Sequence, residues 1–111
     1  MERTGIMNDF ANDMAEAIFD SVIRDSMPLR LTTEEEQLSW ARNRRHDVLT
    51  YNGGAAWDRA FDAQRFEDKT VYEALLNKAE RDNGEGAAAQ VLLDELNSAV
   101  DMRLLDLVNA L

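Results

Sequence analysis

The chain has 111 residues, the size of one ordinary domain, and 45% of them are apolar, enough for a single hydrophobic core. Twelve basic residues stand against 22 acidic ones, for a net charge of −10, which argues against direct binding to nucleic acid or to an anionic membrane surface. There is no cysteine, which excludes disulfides and thiolate metal sites.

Pro28 is the single proline and the five glycines fall at joints between periodic segments. No alternating strand pattern and no internal repeat interrupts them. The chain therefore reads as all-α, a compact bundle of four to five helices in one domain spanning residues 1–111. A first helix is expected over about residues 8–25, capped by Asn8 or Asp9. On it Phe10, Met14, Ala17, Ile18 and Val22 share one broad arc, while Asp9, Asp13, Glu16 and Asp20, spaced 4, 3 and 4 apart, stack on the opposite face. Pro28 ends this segment and pushes Met27 out of the helical region.

A second helix is expected over about residues 33–51, opened by a capping box from Thr32 with Glu35 or Thr33 with Glu36. The three glutamates Glu34–Glu36 lie in its first turn and the arginines near its end, as the helix dipole favours. The Asn52–Gly53 pair supplies the stop through a left-handed residue. A short third helix follows over about residues 55–66, with Ala56, Trp57, Ala60 and Phe61 on one face. The fourth, about residues 71–82, takes Thr70 as a cap paired with Glu73 and buries Val71, Tyr72, Leu75, Leu76 and Ala79. After the loop Asp82–Gly86, a fifth helix spans about residues 87–110. Leu93, Leu96, Val100, Leu104, Leu107 and Leu111 recur there at spacings of 3 and 4, with Asp94 and Asp101 opposite. The aromatic residues Trp40, Trp57, Phe61, Phe66 and Tyr72 sit at helical spacing and read as core.

The second helix gathers Arg42, Arg44, Arg45 and His46 in an otherwise acidic chain. Arg44 follows Trp40 by one turn and can stack on its ring. Arg42 borders the apolar arc of Leu38, Ala41, Val48 and Leu49 and can reach water along its stem. Arg45 falls in the middle of that arc. With no acid three or four residues before them, Arg42 and Arg45 are expected in a buried ion pair with another helix or at an interface with a second chain.

Catalytic and ligand chemistry is sparse. His46 is the only histidine and faces solvent. No serine stands in a nucleophile motif. The Asn52–Ala55 and Asn83–Ala87 stretches lack the spacing of a phosphate loop, and Glu80–Gly86 misses the ligand order of a calcium loop. Glu34, Glu35 and Glu36 point three ways around a helix and do not converge on an ion. No catalytic residue, cofactor or metal is expected.

The acid concentrates at the two ends of the chain. If the first and fifth helices pack side by side, Asp9, Asp13, Glu16, Asp20, Asp94 and Asp101 would form one acidic face for a protein partner with a basic surface. In size, acidity and helical make-up the chain resembles the small acidic inhibitor proteins of phages and mobile elements, some of which imitate nucleic acid. That resemblance implies an inhibitor or regulator acting by protein binding. Steps of about 4.5–6 Å along the acidic stripe do not reproduce the ~3.4 Å phosphate rise of one DNA strand. The alternative is a structural or assembly subunit. Past Val100 the last helix adds Met102, Leu105 and Val108 on its other side, a surface for self-association as a homodimer or larger array. An enzyme is not expected. Without a membrane-length apolar run, an N-terminal signal-peptide pattern or cysteines, the expected setting is cytoplasmic.

Overall fold

A computed structural model describes residues 2–111, with side chains for all of these except residues 2–6 and 52–53. Among the described residues every regular element is helical: α1 (Glu2–Phe19), α2 (Glu34–Asn43), α3 (Arg45–Thr50), α4 (Ala55–Glu67), α5 (Lys69–Asn83) and α6 (Ala88–Asn109). A π-helical turn, Asp20–Arg24, continues α1, and a 3-10 turn, Tyr51–Gly54, joins α3 to α4. No described helix is long and apolar enough to cross a membrane.

α1 begins six residues before the expected start, so Asn8 and Asp9 lie inside the helix and cap nothing. Its buried side is formed by Phe10, Ala11, Met14, Ala15 and Ile18, while Ala17 is exposed. The next buried residue is Ile23, and Val22 is only half-buried. The π turn causes this. The Asp25 amide donates to the Asp20 carbonyl at 2.9 Å, a five-residue step that inserts one extra position and moves the core phase on by one.

α2 opens as expected, with Thr33 as N-cap. Its Oγ1 accepts from the Glu36 amide at 3.2 Å and donates to Glu36 Oε1 at 2.8 Å, which selects Thr33 and Glu36 from the two possible boxes. The single second helix is corrected to two. The ladder breaks at Arg44 (φ −95°, ψ 3°), which ends α2 and precedes α3. α5 starts at Lys69 with Asp68 in the capping position and without a side-chain cap, so Thr70 plays no such role. It stops at Gly84, whose φ of 84° favours glycine.

α1 packs most extensively against α6. The two run parallel: Met7 shares a pocket with Val91 and Glu95, Glu16 meets Arg103, and Phe19 and Ile23 flank Leu111. α5 folds back along the first half of α6, and α2–α3 run antiparallel along its second half. α4 crosses α1, Gln64 meeting Asp13 and Arg59 reaching Ser21. A chain of rings, Trp57 on Phe61, Phe61 on Tyr72 and Tyr72 near Phe10, ties α4 and α5 to α1.

On α6 the buried residues are Ala88, Leu92, Leu96, Val100, Leu104 and Val108, every fourth position. The expected stripe through Leu93 and Leu107 is corrected, since both are only half-buried. Steps of four advance about 40° each around a helix, so the buried line turns by roughly 200° from one end of α6 to the other. No single neighbour can cover such a line. α1, α5 and α3 all pack against α6.

Candidate functional site

The arginine cluster is at the surface. Arg44 behaves as its spacing predicts: its guanidinium lies 5.1 Å from the Trp40 ring centroid, and Nη1 pairs with Asp47 Oδ2 at 2.9 Å. Arg45 does not enter the core. It is exposed, its Nε donates to the Arg42 carbonyl at 3.4 Å, and it makes no ion pair among the described residues. The helical wheel that placed it between Ala41 and Val48 does not carry across the break at Arg44. Arg42 is likewise exposed, its Nε donating to the main-chain oxygen of Leu111 at 3.2 Å. The expectation of a buried ion pair at Arg42 and Arg45 is therefore corrected. His46 is exposed, as expected.

Beside the π turn, Arg44 and Arg59 line a pocket of about 460 Å³ with Ser21, Ser26 and Thr50. Its groups are largely committed to one another. Arg59 Nη2 donates to Ser21 Oγ at 3.4 Å, Arg44 holds Asp47, and the Ser26 and Thr50 hydroxyls donate to main-chain carbonyls. Only the Arg59–Ser21 bond links separate elements, α4 to the π turn; the others are local.

The acidic residues separate into two groups. On α1, Asp9, Asp13 and Glu16 are exposed and Asp20 is half-buried. Glu16 reaches Arg103 of α6 at 3.5 Å and Asp20 pairs with Arg24 at 3.3 Å. Asp9 and Asp13 make no ion pair among the described residues, nor do Glu67 and Asp68 at the α4–α5 junction nearby. The buried amide of Gln64 donates to both Asp13 Oδ2, at 3.3 Å, and Asp68 Oδ2, and so holds two carboxylates close together. Burial raises the Asp13 carboxyl above its ordinary range, and the neighbouring charges of Asp68, Glu16, Glu67 and Asp9 push it the same way.

Asp94 and Asp101 belong elsewhere. Arg103 points from α6 toward α1. At 100° per residue, Asp94 and Asp101 lie about 160–180° around the helix from it. α1 and α6 are neighbours, yet the one acidic face that adjacency suggested does not form. Asp94, Asn97 and Asp101 make a polar row beside the α3–α4 junction instead.

That row borders the most distinctive local geometry in the chain. Tyr51 has φ 28° and ψ 42°, the one described non-glycine residue with positive φ. The left-handed residue expected at Asn52 or Gly53 is found at Tyr51 and at Gly54 (φ 91°); the side chains of residues 52–53 lie outside the described set. The Tyr51 hydroxyl bonds Asn97 Oδ1 at 2.9 Å and Asp101 Oδ1 at 3.0 Å. Burial first, then the Asp101 carboxylate, pushes its pKa up to about 12. Between Tyr51, Trp57 and Leu93 opens a shallow slot of about 330 Å³. Asp58, Asp94 and Asn97 stand on its wall, and Gly54 leaves open space where a side chain would project. Phe61 stacks on Trp57 at 5.0 Å and 15°; Trp57 also lines the slot, with its indole Nε1 buried and without a hydrogen-bond partner among the described residues.

Of the residues expected to self-associate, Met102 is 71% exposed and Leu105 48%, whereas Val108 is 2% exposed and belongs to the core. Phe66, expected in the core, is 76% exposed under the Arg65 guanidinium at 5.4 Å. Among the described residues no cluster of acids and histidine could hold a metal ion. The slot residues Tyr51, Trp57, Asp58 and Asn97 are absent from the acidic face read from sequence. The available clue was Asn97, which with Asp94 and Asp101 forms an i, i+3, i+7 polar row along one side of the helix. The chain matches no protein-family model, no curated protein and no solved structure.

Proposed function

We propose that the chain is a protein-interaction module, an inhibitor or regulator that captures a partner through a basic surface. The observation that carries this reading is the convergence of Asp9, Asp13, Glu67 and Asp68, exposed or half-exposed carboxylates from α1 and the α4–α5 junction with no cation paired to them among the described residues. Asp13, whose carboxyl pKa is raised by burial and then by the charges of Asp68, Glu16, Glu67 and Asp9, is relieved of that repulsion when a basic surface arrives. A net charge of −10 adds long-range attraction for such a partner.

The test is capture from a host lysate, with the retained proteins identified by mass spectrometry. A basic protein should be retained, and raised salt should release it. Replacing Asp9→Asn, Asp13→Asn and Glu67→Gln together should weaken capture by about tenfold or more, since rim charges act through steering and salt-dependent attraction. Equal capture by the neutralised variant would count decisively against this face.

A second reading, a self-associating assembly subunit, draws on Met102 and Leu105, two exposed apolar residues one turn apart on α6. Val108, the third expected member, is inside the core and takes no part in that surface.

A further inference from the structure

We propose that the slot between Tyr51, Trp57 and Leu93 receives an arginine side chain of the partner, its guanidinium lying against the Trp57 indole between Asp58 and Asp94. The proposal rests on the interaction-module reading and narrows it to one anchor.

Two observations select this chemistry. First, the slot is locally negative without compensation: Asp58, Asp94 and the adjoining Asp101 make no ion pair among the described residues. Second, the chain already shows how its rings are used. Trp40 carries Arg44 at 5.1 Å, and Phe61 and Phe66 share Arg65 at 5.8 and 5.4 Å. No described cation lies over Trp57, although carboxylates stand on the same wall. A planar, weakly hydrated guanidinium can stack on an indole and bond carboxylates in its own plane at the same time, which a compact ammonium cannot.

The local backbone fits a built recess. Tyr51 holds a conformation unfavourable for a side-chain-bearing residue, and its hydroxyl is tied to Asn97 and Asp101, so the ring is fixed as one wall. At Gly54, with φ 91°, a Cβ would meet nothing within 4 Å. A second copy of this chain is a poor occupant, because both copies carry −10.

The probe is N-acetyl-arginine N-methylamide, titrated into the full ¹⁵N-labelled chain with N-acetyl-citrulline N-methylamide as neutral isostere. The Trp57 indole N–H reports the slot and the Trp40 indole serves as internal reference. The expected result is a saturable shift of Trp57 and Gly54 with little movement of Trp40, and binding of citrulline weaker by about tenfold. Asp58→Asn combined with Asp94→Asn should weaken the arginine probe by about fivefold or more at unchanged helical circular dichroism. An unmoved Trp57, equal binding of citrulline, or unchanged affinity in the double variant would each overturn the proposal. Should the double variant fail to fold, the citrulline comparison on the unaltered chain decides alone. Arginine binding that persists while lysate capture ignores the α1 acids would sink the module reading only. Capture that depends on those acids while the probe never shifts Trp57 would sink the anchor only.

Discussion

Tyr51 shows how one residue can hold a junction between helices. Its left-handed backbone costs about 1–3 kcal/mol, because the side chain crowds the following carbonyl. Its single hydroxyl proton, shared between Asn97 Oδ1 and Asp101 Oδ1 of α6, offsets part of that and keeps α3 against α6. They also set a pH dependence. The folded chain holds the phenolic proton more tightly than the ordinary value of 10.0, up to about 12. Stability linked to this group is therefore complete below pH 10 and lost as pH rises through about 12. Urea unfolding followed between these values should show a loss of stability for the natural chain that is smaller in Tyr51→Phe. Identical slopes for the two chains would mean that the hydroxyl bonds do not form in solution. None of this was legible in the sequence. The partners of Tyr51 lie 46 and 50 positions away, and local spacing carries no information about them. Arg44 on Trp40 was legible because ring and cation sit one turn apart on a single helix.

At the level of the elements, the places where sequence and structure part company are those where helical phase changes. Up to Ile18 the period of 3.6 finds Phe10, Met14 and Ile18, but it takes in the exposed Ala17 and passes over the buried Ala11 and Ala15. The π turn then replaces Val22 by Ile23, and no propensity argument foresees a single wide turn. A direct measurement of that phase follows. Ile23→Ala should cost about 2–5 kcal/mol, as for a buried aliphatic residue, and Val22→Ala clearly less. The reverse order would place Val22 in the core and remove the π turn. The break at Arg44 acts in the same way on a larger scale. A wheel drawn through it put Arg45 inside and Leu38 and Leu49 beside it, whereas Arg45 is exposed and the two leucines are 40% and 41% exposed. The Thr33 cap needed no phase information beyond three residues and was readable directly.

For the whole molecule, the all-helical class was legible from the punctuation by Gly and Pro and from the 3.6-residue period. Which helices touch was not, and that decided the fate of the acidic face. α1 and α6 lie together, but the rotation of each about its own axis sends their acids to different sides. The same rotation divides the apolar residues at the end of α6. Met102→Ser with Leu105→Ser should change stability by no more than about 0.5 kcal/mol each, as surface substitutions do, while Leu104→Ala should cost about 2–5 kcal/mol. If the chain self-associates through this face, light scattering after size exclusion should return the Met102/Leu105 variant to monomer mass. An oligomer of unchanged mass would move the contact elsewhere.

The turning line of buried residues on α6 bears on how the molecule comes together. α5, α1 and α3 all pack against α6, and α1 follows it from Met7 beside Val91 to Ile23 beside Leu111. Any fragment missing one of these neighbours leaves part of a spiral of leucine and valine facing water. The last helix is thus a screw that seats only when every surrounding piece is in its hole.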